Sequence, residues 1–315
     1  MIYPRLDKVR NGQRMSVELV NGLIKRTEYA ADLLRQYKPL AGTDISIAQR
    51  YDGTTISGGA VADFAAIGSN GAIYLSPNFS KTAQLVGNDF GVTDGSPTLY
   101  GIRGKFALGI GRISGNDFAG IVYNGIDNGL TNGSGFNTRY PGSEWTEFWD
   151  IDPTNYDTIV GSYYNPPSGT PPTYGPYNGL IYSLSSGNYQ TLNRPGQDST
   201  GTFLTGIYNG IIIGGTAFND QDNFYYNGSF NSLPSGFFPY GIYENKIVGN
   251  DGLIYEIGIG FTRQIVIPEL GTTFLSGIYK NYVVGQRQSF PFTSFVYNLD
   301  DDTYITINDR CWAIG

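Results

Sequence analysis

The stretch Glu144-Trp145-Thr146-Glu147-Phe148-Trp149-Asp150-Ile151-Asp152 concentrates the groups in this sequence that do chemistry. Two carboxylates beside tryptophans suit glycoside hydrolysis. One acid protonates the leaving oxygen, the other attacks or activates water, and the sugar stacks on the rings. The surrounding pattern favours another reading. Phe148 and Trp149 fall at positions that recur along the chain as core strand residues, and Asp150 and Asp152 flank a turn at Pro153. No catalytic residue is assigned. Trp145, Glu144, Glu147, Tyr174 and Tyr177 are read as a candidate binding surface on which a sugar stacks without being cleaved. Asp220-Gln221-Asp222-Asn223 and Asp300-Asp301-Asp302 carry hard oxygen ligands, but neither has the spacing of a calcium loop, and both read as acidic turns. Gly109-Ile110-Gly111 has no helix after it to hold a phosphate. The sequence has no histidine and one cysteine, Cys311. That removes the usual general base, most zinc chemistry and any intramolecular disulfide. Neither a metal nor a cofactor is expected.

The elements that must hold these groups repeat. Phe203-Leu204-Thr205-Gly206-Ile207-Tyr208 returns as Phe238-Pro239-Tyr240-Gly241-Ile242-Tyr243 and as Phe274-Leu275-Ser276-Gly277-Ile278-Tyr279. Gly206, Gly241 and Gly277 are 35 and 36 residues apart. Each copy continues through a polar turn, two or three apolar β-formers and a glycine, then an apolar strand with a tyrosine, then one more strand. Four strands per unit is the make-up of a propeller blade. Looser copies begin at Leu99-Tyr100-Gly101-Ile102 and Phe148-Trp149-Asp150-Ile151, the latter with Asp150 where glycine stands elsewhere. A first copy is read at Gly59–Gly68. Ile307 to Gly315 is a truncated copy at the other end. A ring closes when one blade draws on both ends of the repeat array. The reading is a mainly β protein, a β-propeller of about six four-stranded blades, preceded by an N-terminal α-helix. The segments 125–143 and 166–177 are read as long surface loops, where binding usually resides.

Composition agrees. Among 315 residues are 44 glycines and 25 tyrosines, with only 15% charged, a turn-dense β-protein. The net charge of −7 is uneven. Residues 1–50 hold nine Lys and Arg against five acids, and the other 265 hold 11 against 22. An acidic body argues against nucleic acid as partner. No apolar run reaches the roughly 20 residues of a membrane span, and Met1 to Arg14 lacks the apolar core of a secretory signal.

Residues 1–14 read as an extended arm, because Pro4 and Asn11-Gly12 block a helix. From Ser16, a good N-cap, to about Tyr37 the pattern is helical. Val17, Val20, Ile24, Thr27, Ala31 and Leu34 alternate by three and four residues, a coiled-coil-like stripe. Such a face needs a partner, and self-association, with a trimer favoured, is expected. The domain reading is an arm and helix at 1–42, a linker at 43–56 and a propeller at 57–315.

Two resemblances add to this. Gly241–Gly249 with Leu253–Tyr255, and Gly277–Gly285 with Phe295–Leu299, resemble the extracellular HAF-type repeat, as does the turn Ile307-Asn308-Asp309-Arg310. That resemblance implies a propeller-like fold and no chemistry. Pro4-Arg5-Leu6-Asp7-Lys8-Val9-Arg10-Asn11-Gly12-Gln13, Val20-Asn21-Gly22-Leu23-Ile24-Lys25-Arg26 and Glu28-Tyr29-Ala30 resemble the opening of tailed-phage virion proteins. This implies a non-enzymatic structural protein of the virion. Its helix would dock on other virion proteins, and its propeller would be exposed for assembly or for a host-surface glycan. The alternative is an extracellular or cell-surface propeller that binds or cleaves glycan.

Overall fold

A computed structural model of the protein describes residues 43–50, 53–60, 65–68, 70–75, 80–92, 94–115, 117–127, 130–164, 176–196, 201–216, 219–267, 270–271, 273–287, 293–307 and 310–315. The chain forms two units, 1–63 and 64–315. In the first, β1 (Thr43–Arg50) and β2 (Gly53–Ala60) make an antiparallel hairpin, with Thr43 opposite Ala60 and Arg50 opposite Gly53. Strands therefore stand where a linker was expected over 43–56. The arm and helix of 1–42, including Val17, Val20, Ile24, Thr27, Ala31 and Leu34, lie outside the described residues.

The second unit runs through β3 (Ala65–Gly68), β4 (Ala72–Leu75), β5 (Ser80–Gln84), β6 (Asp94–Arg103), β7 (Phe106–Ser114), β8 (Asp117–Asp127), β9 (Leu130–Thr138), β10 (Trp145–Ile151), β11 (Thr158–Tyr164), β12 (Tyr177–Ser183) and β13 (Tyr189–Thr191). It continues with β14 (Thr202–Tyr208), β15 (Ile211–Thr216), β16 (Asn219–Tyr226), β17 (Phe230–Ser232), β18 (Pro239–Tyr243), β19 (Lys246–Gly249), β20 (Leu253–Glu256) and β21 (Gly260–Gln264). It ends with β22 (Thr273–Tyr279), β23 (Tyr282–Arg287), β24 (Ser294–Asn298), β25 (Tyr304–Ile307) and β26 (Cys311–Ile314). The described residues contain no α-helix.

Four sheets are four-stranded blades in a propeller arrangement: β14 to β17, β18 to β21, β22 to β25, and β26 with β3, β4 and β5. An eight-stranded sheet holds two further meanders, β6 to β9 and β10 to β13, joined by one parallel pair, Trp145 with Phe118. The end of the chain supplies the first strand of the blade that β3 continues. Cys311 lies opposite Gly68 and Ile314 opposite Ala66, and Ala65 and Gly315 exchange backbone hydrogen bonds of 2.8 and 3.0 Å. This is the closure expected from the truncated terminal copy. Gly59 and Ala60 belong to the hairpin instead of opening a first copy, and Cys311–Ile314 is the strand that pairs with β3. Much of 125–143 is likewise strand: Leu130–Thr138 pairs with β8 as β9.

Apolar side chains are buried between neighbouring sheets. Val160 packs with Leu204, Ile207 and Phe224, and Val284, Val296 and Ile307 pack with Ala66, Tyr74 and Ile314. The glycine in each second strand marks a close approach. A Cβ on Gly161 would lie 2.0 Å from the Glu147 carbonyl oxygen, and one on Gly214 2.1 Å from that of Phe203. The tight turn of the repeat is clearest at Asn209 and Gly210. Both have positive φ, 48° and 75°, as a two-residue hairpin whose twist matches its strands requires.

Candidate functional site: the mouth of the inner strands

The first strands of the six meanders touch in a circuit, β6 to β10, β14, β18, β22, β26 and back to β6. Each carries the same irregularity. Leu99 pairs with Gly109 and Gly101 with Leu108, so Tyr100 has no partner in the ladder. The same skip leaves out Trp149, Thr205, Tyr240, Ser276 and Trp312. A bulge frees one residue from the ladder and re-aims its side chain. Here all six bulged residues line one pocket, together with Arg103, Asp150 and the glycines Gly101, Gly241 and Gly277. The pocket opens to solvent, and the space between its walls is about 20 Å³, room for about one water molecule.

Its wall has two halves. On one side Tyr100 and Trp149 stack with ring centres 4.3 Å apart and planes 8° apart, and Trp312 meets Tyr100 edge-on at 6.4 Å. Phe274 extends this surface behind Trp312, at 5.8 Å, and Arg310 covers the Trp312 ring at 4.6 Å. On the other side stand Thr205, Tyr240 and Ser276. Thr205 donates its hydroxyl to the Pro239 carbonyl at 2.9 Å, and Ser276 donates to the Cys311 carbonyl at 3.3 Å. Their oxygen lone pairs remain as acceptors.

The floor is a buried ion pair. Arg103 Nε and Nη2 donate to Asp150 Oδ1 and Oδ2 at 3.0 and 3.1 Å, a two-pronged contact. Nη1 also donates to the carbonyls of Ile278, at 2.8 Å, and Ile314, at 3.4 Å, and Nη2 to that of Ile242 at 3.0 Å. Asp150 accepts in addition from the backbone N–H of Ile151 and Ile207, at 2.9 and 3.2 Å. One ion pair thus reaches all six first strands. Burial pushes the Asp150 carboxyl up, and the Arg103 charge and the backbone donors oppose that. The inner strands close tightly around it: a Cβ on Gly241 would lie 3.0 Å from the Gly277 Cα.

The residues expected at a binding surface are distributed otherwise. Glu144 is exposed, and its carbonyl accepts the Phe118 N–H at 2.8 Å. Trp145 is half-buried against Phe118, ring centres 4.2 Å apart. Tyr177 is half-buried between Tyr164 and Phe203, at 5.8 and 4.2 Å. Tyr174 lies outside the described residues. Glu147 is a correction, being buried at 5% exposure. It accepts from Ser162 Oγ at 2.5 Å and from the Trp145 indole N–H at 3.3 Å. Burial raises its pKa, against the pull of Ser162 and the two indoles. The Trp149 indole N–H is buried and has no acceptor in hydrogen-bond geometry. Asp150 is a second correction, standing at the centre of the circuit rather than beside a turn. Asp152 does hold the turn at Pro153, accepting from Thr154 N and Oγ1 at 3.0 and 2.7 Å. Sequence reasoning missed Arg103 and the six bulged residues, although the position before each repeated glycine was their signal.

The two acidic clusters differ. Residues 220–223 are part of β16, not a turn, and Asp222 lies 3.9 Å from Arg194. Residues 300–302 form the turn between β24 and β25. There Asp301 accepts from Thr303 N and Oγ1, at 3.1 and 2.6 Å, and Asp302 pairs with Arg263.

No family model matches this chain, and no curated protein matches it. Several solved structures are similar to it. An Aleuria aurantia lectin mutant in complex with Fucα1-6GlcNAc is 12% identical, with 79% of this chain and 96% of that one covered and a TM-score of 0.44. The computationally designed Ika8 protein is 13% identical over 79% and 73% of the two chains, with a TM-score of 0.38. A chain of the nidogen/laminin complex is 9% identical over 87% and 94%, at 0.37. At these levels the likeness says nothing of ligand or activity.

Proposed function

We propose that this chain is a non-enzymatic binding protein. It is a six-bladed propeller, the eight-stranded sheet counting as two blades, that meets a host-surface glycan as a structural component of a tailed-phage particle. The observation that carries the binding part is the convergence of six bulged side chains on one open mouth, ringed by aromatic groups. Stacking on such rings is how proteins hold sugars without charge. The nearest carboxylates support binding over cleavage. Asp150 is bound to Arg103 and two backbone N–H groups, and Glu147 is buried on Ser162 and Trp145. Glycoside hydrolysis needs one carboxyl free to protonate the leaving oxygen and another free to attack or to activate water.

The particle part rests on the sequence of residues 1–42, whose partners are other virion proteins and further copies of the chain, a trimer favoured. Two experiments test the proposal. The full chain is passed over immobilised bacterial surface polysaccharides. Retention without release of reducing ends is expected, and release that Glu144→Ala with Glu147→Ala abolishes would make it an enzyme. Removing residues 1–42 should leave a monomer by light scattering, and an unchanged oligomer would dismiss the helix as the assembly element.

A further inference from the structure

We infer that Asn227, in the turn between β16 and β17, is a site of spontaneous deamidation, in which the backbone nitrogen of Gly228 displaces its side-chain amide and water leaves a carboxylate in its place. The sequence has nine Asn-Gly pairs, the pair most open to this reaction because glycine has no side chain to shield its own nitrogen. Six lie within the described residues, at Asn70, Asn124, Asn132, Asn178, Asn209 and Asn227. The attacking group is the glycine N–H, which must give up its proton. An N–H that already donates to an acceptor holds that proton more tightly. In five of the pairs the fold occupies it. Gly71 donates to the Gly68 carbonyl and Gly125 to that of Lys105, both at 3.0 Å. Gly133 donates to the Tyr123 hydroxyl at 2.9 Å, Gly179 to Asn193 Oδ1 at 3.0 Å and Gly210 to Asp152 Oδ2 at 2.8 Å. The Gly228 N–H makes no hydrogen bond among the described residues. Asn227, Gly228 and Ser229 are all exposed. Gly228 has a φ of 96°, and nothing lies within 4 Å of where a Cβ would stand.

The group under attack is also prepared. Asn227 Oδ1 accepts from Asn231 Nδ2 at 3.0 Å and from Ser229 Oγ at 3.5 Å. As the Gly228 nitrogen adds to Asn227 Cγ, negative charge develops on that oxygen, and donors already in place stabilise it. The bond from Cγ to the amide nitrogen then breaks. That nitrogen leaves as ammonia, with a proton equivalent to the one Gly228 gave up, and a five-membered imide remains. Water opens the imide at either carbonyl. One opening gives an aspartyl residue, and the other gives an isoaspartyl residue whose main chain is one atom longer. Both place a new negative charge beside β17, the outer strand of its blade.

The test follows the full chain at mildly alkaline pH by peptide mapping, once folded and once in urea. Conversion is read from the mass change of amide to acid and from the separated isoaspartyl peptide. In urea all six pairs should convert at similar rates, since the same two residues meet in each. In the folded chain Asn227 should stay within about threefold of its urea rate, while the other five fall at least about tenfold below theirs. Asn231→Ala should slow the folded-state reaction at Asn227 about threefold and leave the urea rate unchanged. If Asn231→Ala does not fold, Ser229→Ala, in the exposed turn, decides. Protection of Asn227 as strong as that of the other five would overturn the inference. So would any of the five converting in the folded chain as fast as Asn227. A folded-state rate that these substitutions leave untouched would overturn the part assigned to the two donors.

Discussion

The three regular copies, β14 to β25, and the eight-stranded sheet, β6 to β13, are built on one repeat and use it differently. In the regular copies a bulged Thr205, Tyr240 or Ser276 is followed by Gly-Ile-Tyr. The closing tyrosines Tyr208, Tyr243 and Tyr279 then pack in series, ring centres 4.8 and 5.3 Å apart. In the eight-stranded sheet the same positions read Tyr100-Gly101-Ile102-Arg103 and Trp149-Asp150-Ile151-Asp152. Arg103 stands where the tyrosine would be and reaches across to β18, β22 and β26. Asp150 stands where the glycine would be and receives it. Asp152 takes another tyrosine place and holds the Asn209 and Gly210 N–H groups of the next meander at 3.0 and 2.8 Å. Regular copies supply the frame, and the departures from the repeat supply the central tie and two of the four large rings at the mouth.

Removing residues 310–315 breaks the comparison most severely. The closing blade loses its first strand, Arg103 loses an acceptor at Ile314, and a sheet edge is opened. Loss of a cooperative thermal transition is expected by circular dichroism. Removing six residues from within 166–177 should shift Tm by only a few degrees, and equal effects of the two deletions would show that the terminus does not close the ring.

Next in size is the ion pair. Asp150→Ala should cost about 3–5 kcal/mol in urea unfolding, because it strands a buried guanidinium. The double change Arg103→Tyr with Asp150→Gly restores the residues of the regular copies. It should cost much less than the two single changes added together. Additive losses would mean that the pair does not act as a unit.

The smallest effect concerns Glu147, where pH sharpens the comparison. Burial raises its folded pKa above the unfolded value of about 4.3. Above that value the folded state holds a proton that the unfolded state releases. Stability contributed by the protonated acid is then complete below about pH 4.3 and declines as pH rises toward the folded pKa. Glu147→Gln removes this decline, so its urea midpoint should fall less than that of the unaltered chain between pH 4 and pH 7. Parallel profiles would count against the burial of the carboxyl.

The repeat made the blades and their closure legible, since Gly206, Gly241 and Gly277 mark a period and the chain ends on a truncated copy. The mouth was harder to read because a bulge has no periodic signature, being one residue that the ladder skips. Strand alternation also fails in the inner strands, which are covered on both faces. Thr146, Glu147 and Phe148 are buried in succession, so a glutamate that alternation would place outside lies inside. Pro153 drew Asp150 into a turn reading, although an aspartate in place of a repeated glycine was the better clue. Strand β9 was hidden by its Asn, Gly and Thr content, which an edge strand tolerates.

A crystal structure of the full chain with a bound neutral methyl pyranoside tests the role of the bulged residues most directly. The account predicts the sugar at the mouth of the inner strands, in contact with the bulged residues that ring it. A sugar seated instead on the outer surface at Glu144 and Trp145, with the mouth empty, would contradict it.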